Sequence, residues 1–247
     1  MNDPCRERSL SFGSQAAAYE RGRPSYPPEA VDWLLAPTDS WDASDVLDLG
    51  AGTGKLTTRL VERGLGVIAV DPIAEMLDML RSALPETPAL LGSAEQIPLP
   101  DDSVDAVLVA QAWHWFDQGR AVAEITRVLR PGGRLGILWN TRDERLGWVK
   151  DFGRIVGLEH DRDSATVDLP EPFTRTETHE VEWTNYITPQ TLIDYVVSRS
   201  YCITSPAEVR TRTLDEVREL LATHPSLANS TGLAMPYVTV CVRATLA

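Results

Sequence analysis

The segment Val46-Leu47-Asp48-Leu49-Gly50-Ala51-Gly52-Thr53-Gly54-Lys55-Leu56 runs an apolar strand into a helix through three evenly spaced glycines. Glycines at 50, 52 and 54 remove the Cβ atoms that would keep a ligand off the backbone, and they admit positive φ. The helix beyond presents N–H groups with no partner inside the helix. Asp71 follows about twenty residues on, at the end of a second apolar run, where a carboxylate accepts both hydroxyls of a ribose. Together these residues point to a nucleoside-containing ligand.

Three ligand classes use such a loop, and spacing separates them. A P-loop needs G-x-x-x-x-G-K-[ST], but Leu49 stands at its first glycine and Leu56 at its magnesium-binding hydroxyl, which excludes a nucleotide triphosphatase. A dinucleotide fingerprint needs its third glycine at position 55, and Lys55 displaces it. S-adenosylmethionine has no phosphate, so its loop need only admit the amino-acid moiety and ribose, with Asp48 available to the ammonium. This third class fits best. A nicotinamide-dependent oxidoreductase and a non-catalytic cofactor-binding module remain as alternatives.

Other side chains carry two readings each. His114, between Trp113 and Trp115, is either a general base for a phenol or amine acceptor or a plug at the sheet edge. Trp115 and the other tryptophans are core or substrate platform. Trp139, Asn140 and Arg142 end the fifth strand on the ligand side of such sheets, and Arg142 either holds an anionic substrate or pairs with Asp143. Phe12, Tyr19 and Arg23 form a lid or a packed N-terminal helix. Cys5, Cys202 and Cys241 are too far apart for a disulfide framework, and His160, His179 and His224 show no partner spacing, so no metal is expected.

The elements that must position these groups alternate short β-branched runs with helical-period segments from Asp45 for about a hundred residues, the pattern of a parallel sheet covered by helices. The spacing predicts strands at Val46–Leu49, Val67–Val70, Ala89–Leu91, Val104–Ala110 and Leu135–Trp139. It predicts helices at Leu56–Arg63, Ala74–Leu84 and Arg120–Leu129, each stopped by Gly or Pro. Ser14–Arg21 and Pro28–Leu35 read as two earlier helices. The stretch Asp143–Phe173 is charged, broken by Gly and Pro, and gives no assignment. The tail offers strands at Thr178–Trp183 and Tyr237–Ala244 and a helix entered at Thr188-Pro189. It also holds two capping boxes, Ser205-Pro206-Ala207-Glu208 and Thr213-Leu214-Asp215-Glu216.

The 247 residues can bury a full core, and 43% hydrophobic against 24% charged is the balance of a globular chain, which excludes a disordered or fibrous one. A net charge of −13 repels a phosphate backbone, so nucleic acid is not an expected partner. No run approaches the ~18 apolar residues of a membrane span, and the N-terminal segment lacks a signal-like apolar region, so a cytoplasmic location is expected.

Four segments resemble the successive motifs of class I S-adenosylmethionine-dependent methyltransferases. They are Asp48-Leu49-Gly50-Ala51-Gly52-Thr53-Gly54, Val70-Asp71-Pro72-Ile73-Ala74-Glu75-Met76-Leu77, Gly92-Ser93-Ala94-Glu95-Gln96-Ile97-Pro98-Leu99 and Leu129-Arg130-Pro131-Gly132-Gly133. The likeness covers residues 45–140. Phe12-Gly13 through Arg23-Pro24-Ser25-Tyr26-Pro27, with Gln111-Ala112-Trp113-His114-Trp115-Phe116, is similar to the methyltransferase type 11 and trans-aconitate methyltransferase-like subgroup of small-molecule enzymes.

The resemblance implies an α/β, Rossmann-like seven-stranded sheet, mostly parallel with the last strand antiparallel and helices on both faces. It implies one domain over 1–247: an N-terminal helical lid over 1–35, a cofactor core over 45–140, and a substrate-side insertion with C-terminal strands over 141–247. Cofactor contacts would fall on the loop Gly50, Ala51, Gly52 and Thr53 with Asp48, on Asp71 for the ribose, on Pro72 and Ile73 beside the adenine, and on Ser93, Ala94 and Glu95 along its edge. Ser93 departs from the Asp often found there. Gln111 and either Arg23 or Tyr19 would complete the methionine end. Tyr19, His114, Trp115, Trp139 and Arg142 are the substrate-side candidates, and the acceptor is a small molecule.

Overall fold

The computed structural model describes residues 16–37, 42–157, 167, 169–199, 201–202 and 205–247. Its strands are β1 Asp45–Leu49, β2 Gly66–Asp71, β3 Ala89–Leu91, β4 Val104–Ala110, β5 Leu129–Arg142, β6 Phe173–Ile187 and β7 Leu233–Leu246. They form one sheet in the order β3-β2-β1-β4-β5-β7-β6, with β7 antiparallel to the rest, which bears out the expected architecture. The helices are α1 Ala16–Gly22, α2 Pro28–Leu34, α3 Lys55–Val61, α4 Ala74–Ala83, α5 Gln118–Val128, α6 Gly147–Val156, α7 Pro189–Val197 and α8 Ala207–Thr223. Phe12, Ser14, Cys5 and His160 lie outside the described residues.

The chain divides into two compact units. Of the described residues, an α/β unit comprises those of 25–139, 167–181 and 239–247. Residues two apart on a strand share a face, so each buried strand supplies two cores. Leu47, Leu49, Val107, Val109 and Ile137 pack with Ala121, Val122, Ile125 and Val128 of α5. Val46, Ala106, Leu108 and Leu138 pack with Ala30, Val31 and Leu34 of α2 and with Leu56 and Leu60 of α3. β1 pairs in parallel with β2 on one side and β4 on the other, so the strand order reverses between β1 and β4. In open α/β sheets such a switch point opens the crevice that ligands occupy, outside the carboxyl ends of the strands.

Of the described residues, a helical unit comprises those of 16–24, 140–157 and 182–238. Its core joins Trp148, Val149, Phe152 and Val156 of α6 to Leu192, Tyr195 and Val196 of α7, Val217 of α8, and Leu233, Met235 and Tyr237 of β7. A Cβ on Gly22 would overlap the backbone amide of Tyr195, so α1 needs glycine at its end to lie on α7.

Several expectations are corrected. β5 begins at Leu129 and carries Pro131-Gly132-Gly133 inside it. Val104 pairs with Leu129 and Ala106 already with Arg134, so the residues between bulge out of register. The unassigned stretch holds α6, which begins at Gly147 and carries Gly153 within its apolar stripe. Neither capping box forms as read. Pro206 is the N-cap of α8 and makes no side-chain bond, and Thr213 is buried inside that helix, whose packing overrides its capping preference. His179 stacks on Trp33 at 5.2 Å between ring centroids, and His224 Nδ1 accepts from Ser226 N at 3.2 Å.

At the amino ends of the strands Asp105 ties three segments together. One carboxylate oxygen accepts from Ser44 N and Asp45 N, each at 2.9 Å, and the other from Arg130 Nη1 at 2.6 Å. Burial works to raise its pKa, but the amides of Asp45 and Ser44 and the Arg130 guanidinium outweigh it and hold the pKa at about 2. The stabilisation is therefore complete above the unfolded carboxyl pKa and wanes as pH falls toward about 2. Asp105→Ala should lower unfolding free energy by about 1.5–3 kcal/mol, the range for hydrogen bonds to a charged group, read by urea denaturation at pH 7.

Candidate functional site

Gly50, Gly52 and Gly54 all adopt positive φ, at 75°, 56° and 92°. The loop turns back along β2, with Gly50 N and Ala51 N donating to Val70 O at 2.8 and 3.1 Å. A Cβ on Gly50 would stand 2.7 Å from Ala112 Cβ, and one on Gly54 2.9 Å from Leu80 Cγ. Gly54 therefore lets the start of α3 approach α4.

Asp71 closes the arrangement. Its Oδ2 accepts from Gly52 N at 2.8 Å and its Oδ1 from Ile73 N at 2.8 Å. A carboxylate offers about four acceptor sites, so two remain on Asp71 after these amides. Its own carbonyl accepts from Gly92 N at 3.2 Å, which anchors the segment after β3. Asp48, fully buried, points from β1 toward α3, where its Oδ2 accepts from Thr57 Oγ1 at 2.6 Å. Asp48 Oδ1 has no hydrogen-bond partner among the described residues. An acceptor left without a donor in an apolar surround is costly, and a ligand cation or donor would relieve it.

In the segment after β3, Gln96 N donates to Ser93 O at 3.2 Å, Ala94 is buried, and Glu95 Oε1 accepts from Asp117 N at 3.0 Å. Two residues that sequence reasoning missed hold this segment from α5. Arg127 donates to Ile97 O at 2.9 Å and to Leu99 O at 2.8 Å, and Glu124 accepts from Ile97 N at 2.9 Å. Their signal in the sequence was an ordinary i,i+3 surface pair. At the end of β4, Gln111 takes φ 57°, a region that non-glycine residues seldom adopt, while its N–H donates to Leu138 O at 3.0 Å. Pro72 is exposed and Ile73 buried at the entry to α4, and Thr53 is buried in the loop.

The aromatic candidates separate. Trp139 and Trp113 lie in the apolar core of the α/β unit, and Trp113 meets Phe116 edge-on at 5.9 Å. His114 packs against the Trp115 ring at 4.5 Å on the short 3₁₀ turn after β4, with both residues half-buried. Tyr19, Arg23 and Arg142 belong to the helical unit. The Arg23 guanidinium lies 5.4 Å from the Tyr19 centroid and 5.1 Å from that of Tyr195. Arg142 donates to Tyr195 Oη at 2.7 Å and to Gly157 O at 3.1 Å, while Asp143 accepts from Arg145 Nε at 2.6 Å. The simple pairing of Arg142 with its neighbour Asp143 is thus replaced by Arg145.

Comparison with known proteins decides the family. A methyltransferase-domain model matches residues 47–137. A methyltransferase of Mycobacterium tuberculosis is 73% identical over 242 residues, covering 98% of both chains. A methyltransferase-like protein of Schizosaccharomyces pombe is 36% identical over 241 residues, 93% of each. The chain belongs to the class I methyltransferase family. A solved structure assigned as a type II methyltransferase, from Anaeromyxobacter dehalogenans, superposes with a TM-score of 0.64 at 26% identity, covering 90% of this chain and 97% of that one. Family members typically use S-adenosylmethionine. This methyltransferase is by family an enzyme, which sets aside the oxidoreductase alternative. None of its described helices is long and apolar enough to cross a membrane.

The two loop carboxylates of the methyltransferase titrate high. Burial raises the Asp48 pKa to about 7 despite the Thr57 hydroxyl, with the neighbouring Asp71 charge adding to the rise. Burial raises that of Asp71 to about 6 against the amides of Gly52 and Ile73. The native state then keeps protons that the unfolded chain has lost above about pH 4. The contribution to stability is complete below that pH and disappears as pH rises through about 6 and 7. Scanning calorimetry should give a melting temperature that falls between pH 5 and pH 8, and Asp48→Asn should flatten that slope.

Proposed function

We propose that this protein transfers a methyl group from S-adenosylmethionine to a small-molecule acceptor. The observation that carries the reading is the Asp71 carboxylate, held by one loop amide and one amide at the entry to α4 and still able to accept from two ribose hydroxyls. Gly50, Ala51, Gly52 and Thr53 would lie under the methionine moiety, whose ammonium suits the unsatisfied Asp48 oxygen. Pro72 and Ile73 would flank the adenine, and Ser93, Ala94 and Glu95 its edge. Gln111 would finish the methionine end. The loop offers amides and carboxylates where a diphosphate would need amides alone.

When bound, S-adenosylmethionine supplies a methyl group on a positively charged sulfur, which an acceptor's lone pair displaces in line while the bonding pair returns to sulfur. The protein need not stabilise a new ion; alignment by its side chains can supply several kcal/mol, ~7–11 in favourable cases. His114 is the candidate base when the acceptor is a phenol or amine, and has no proton to take from a carboxylate. Trp115, Trp139, Tyr19 and Arg142 remain the other substrate-side candidates. The acidic surface, with a net charge of −13, favours a small acceptor over a nucleic acid. In this reading residues 1–247 act as one methyltransferase domain, in the cytoplasm.

Calorimetric titration with S-adenosylhomocysteine tests the cofactor site. Binding is expected in the wild type and should weaken ~10-fold or more in Asp71→Ala, the scale of lost charge-assisted hydrogen bonds. Unchanged affinity would remove Asp71 from the site, and tighter binding of NAD than of S-adenosylhomocysteine would end the reading.

A further inference from the structure

Glu124 and Arg127, one turn apart on α5, grip the backbone of the segment after β3 much as a neighbouring strand would. A guanidinium has five N–H donors, and all five of Arg127 are engaged. Nη1 donates to Leu99 O and to Asp101 Oδ1, each at 2.8 Å. Nη2 donates to Ile97 O at 2.9 Å and to Glu124 Oε2 at 2.8 Å, and Nε to Glu124 Oε1 at 2.8 Å. Glu124 Oε2 also accepts from Ile97 N at 2.9 Å, so the two side chains hold both backbone groups of Ile97. A pair that served only its own helix would need no more than the bonds between its members. This pair makes three further bonds to backbone 27 to 30 residues earlier in the chain. The Arg127 guanidinium, helped by the Ile97 amide, keeps the Glu124 carboxyl below the usual carboxylate range against the opposing effect of burial, so the grip persists at neutral pH.

The same helix takes hold of the segment again at its other end, where Asp117, the N-cap of α5, donates its N–H to Glu95 Oε1 at 3.0 Å. On the side of β3, Gly92 N donates to Asp71 O at 3.2 Å. The turn 93–96, closed by Gln96 N donating to Ser93 O at 3.2 Å, is thus suspended between Asp71 before it and α5 beside and after it. The sheet gives that turn little support of its own, because β3 has three residues and none of them is buried. Ser93 carries a hydroxyl, one bond shorter than a carboxylate, and its reach is set by the backbone that bears it. Hydrogen bonds weaken steeply once distance or angle departs from the preferred range, so a small shift of the turn would forfeit any bond it makes to a ligand.

We propose that Glu124 and Arg127 are positioning residues for adenine selectivity, fixing the turn 93–96 from α5 so that it reads the 6-amino edge of the cofactor's purine. The inference rests on the S-adenosylmethionine reading above, in which Ser93, Ala94 and Glu95 border the adenine. Both residues act through the backbone of Ile97 and Leu99 and not by contact with the cofactor. A 6-amino group donates where a 6-oxo group accepts, so a turn held in place for one rejects the other, and a turn free to shift discriminates less.

The test titrates the intact protein, by calorimetry, with S-adenosylhomocysteine and with S-inosylhomocysteine, which has a 6-oxo group in place of the 6-amino group. The wild type should prefer the adenosyl compound by about tenfold or more, the scale of a hydrogen bond whose partner is left unpaired. Arg127→Met should lose most of that preference, binding S-adenosylhomocysteine about tenfold more weakly and S-inosylhomocysteine within about twofold of the wild type. Asp105→Ala, which weakens the fold at the amino ends of the strands, should keep the preference, and so separates selectivity from a general loss of stability. Where a melting curve shows that Arg127→Met does not fold, Arg127→Lys carries the same expectation, because a point charge cannot span two carbonyls and a carboxylate as the planar fork does. Equal weakening of both ligands in the folded variant, or an unchanged preference, overturns the proposal and leaves the pair a purely structural role. A wild type that binds both ligands equally overturns it as well. A wild type that binds neither is a different pattern, which ends the cofactor reading and the proposal with it.

Discussion

A buried carboxylate must find donors, and the donors that Asp71 finds determine the shape of the glycine-loop edge of the sheet. Its two oxygens take the amides of Gly52 and Ile73, and its carbonyl takes the amide of Gly92. One residue thus joins the glycine loop, the entry to α4 and the segment after β3. Leaving such a group without donors in an apolar surround would neutralise it, which is why its pKa rises even with two amides in place.

The rest of the α/β unit makes this meeting possible. Parallel pairing of β1 with β2 aligns Leu49 with Val70, so the loop that follows β1 falls beside the residue that ends β2. Positive φ at Gly50, Gly52 and Gly54 turns the chain within a few residues and lets Ala112 and Leu80 come close. Asp48 belongs to the even-numbered face of β1 that looks toward α3, so its hydroxyl partner had to come from that helix, and Thr57 supplies it. From α5, Glu124 and Arg127 hold the opposite wall by hydrogen bonds to the Ile97 and Leu99 backbone. The helical unit is built on a different principle, with aromatic rings and guanidiniums converging on Tyr195.

Most of the α/β unit was legible because each of its elements is short, apolar and closed by a breaker. Ala89–Leu91 and Val104–Ala110 lie where the spacing predicts them. The charged stretch after β5 was not legible. Its helix, α6, buries Trp148, Val149, Phe152 and Val156 at helical spacing, but it begins at Gly147 and carries Gly153 within the stripe, and glycine lowers helix propensity. Thr213 carries the local signature of a helix start, yet burial in the middle of α8 outweighs it. Arg142 stands next to Asp143 in the chain, but β5 ends at Arg142 and the two side chains find different partners.

The sequence by itself determined the glycine loop, the carboxylate at the end of β2 and the doubly wound order of elements. Those features are local: a glycine needed for positive φ or a carboxylate at a strand end is specified by residue type and spacing over a few positions. Tertiary structure decided that Arg127 and Glu124 brace the segment after β3, that Trp139 belongs to the core, and that Arg142 and Arg199 meet on Tyr195. These contacts join residues far apart in the chain, and which of them form depends on the face each strand and helix turns inward, a property of the packed whole.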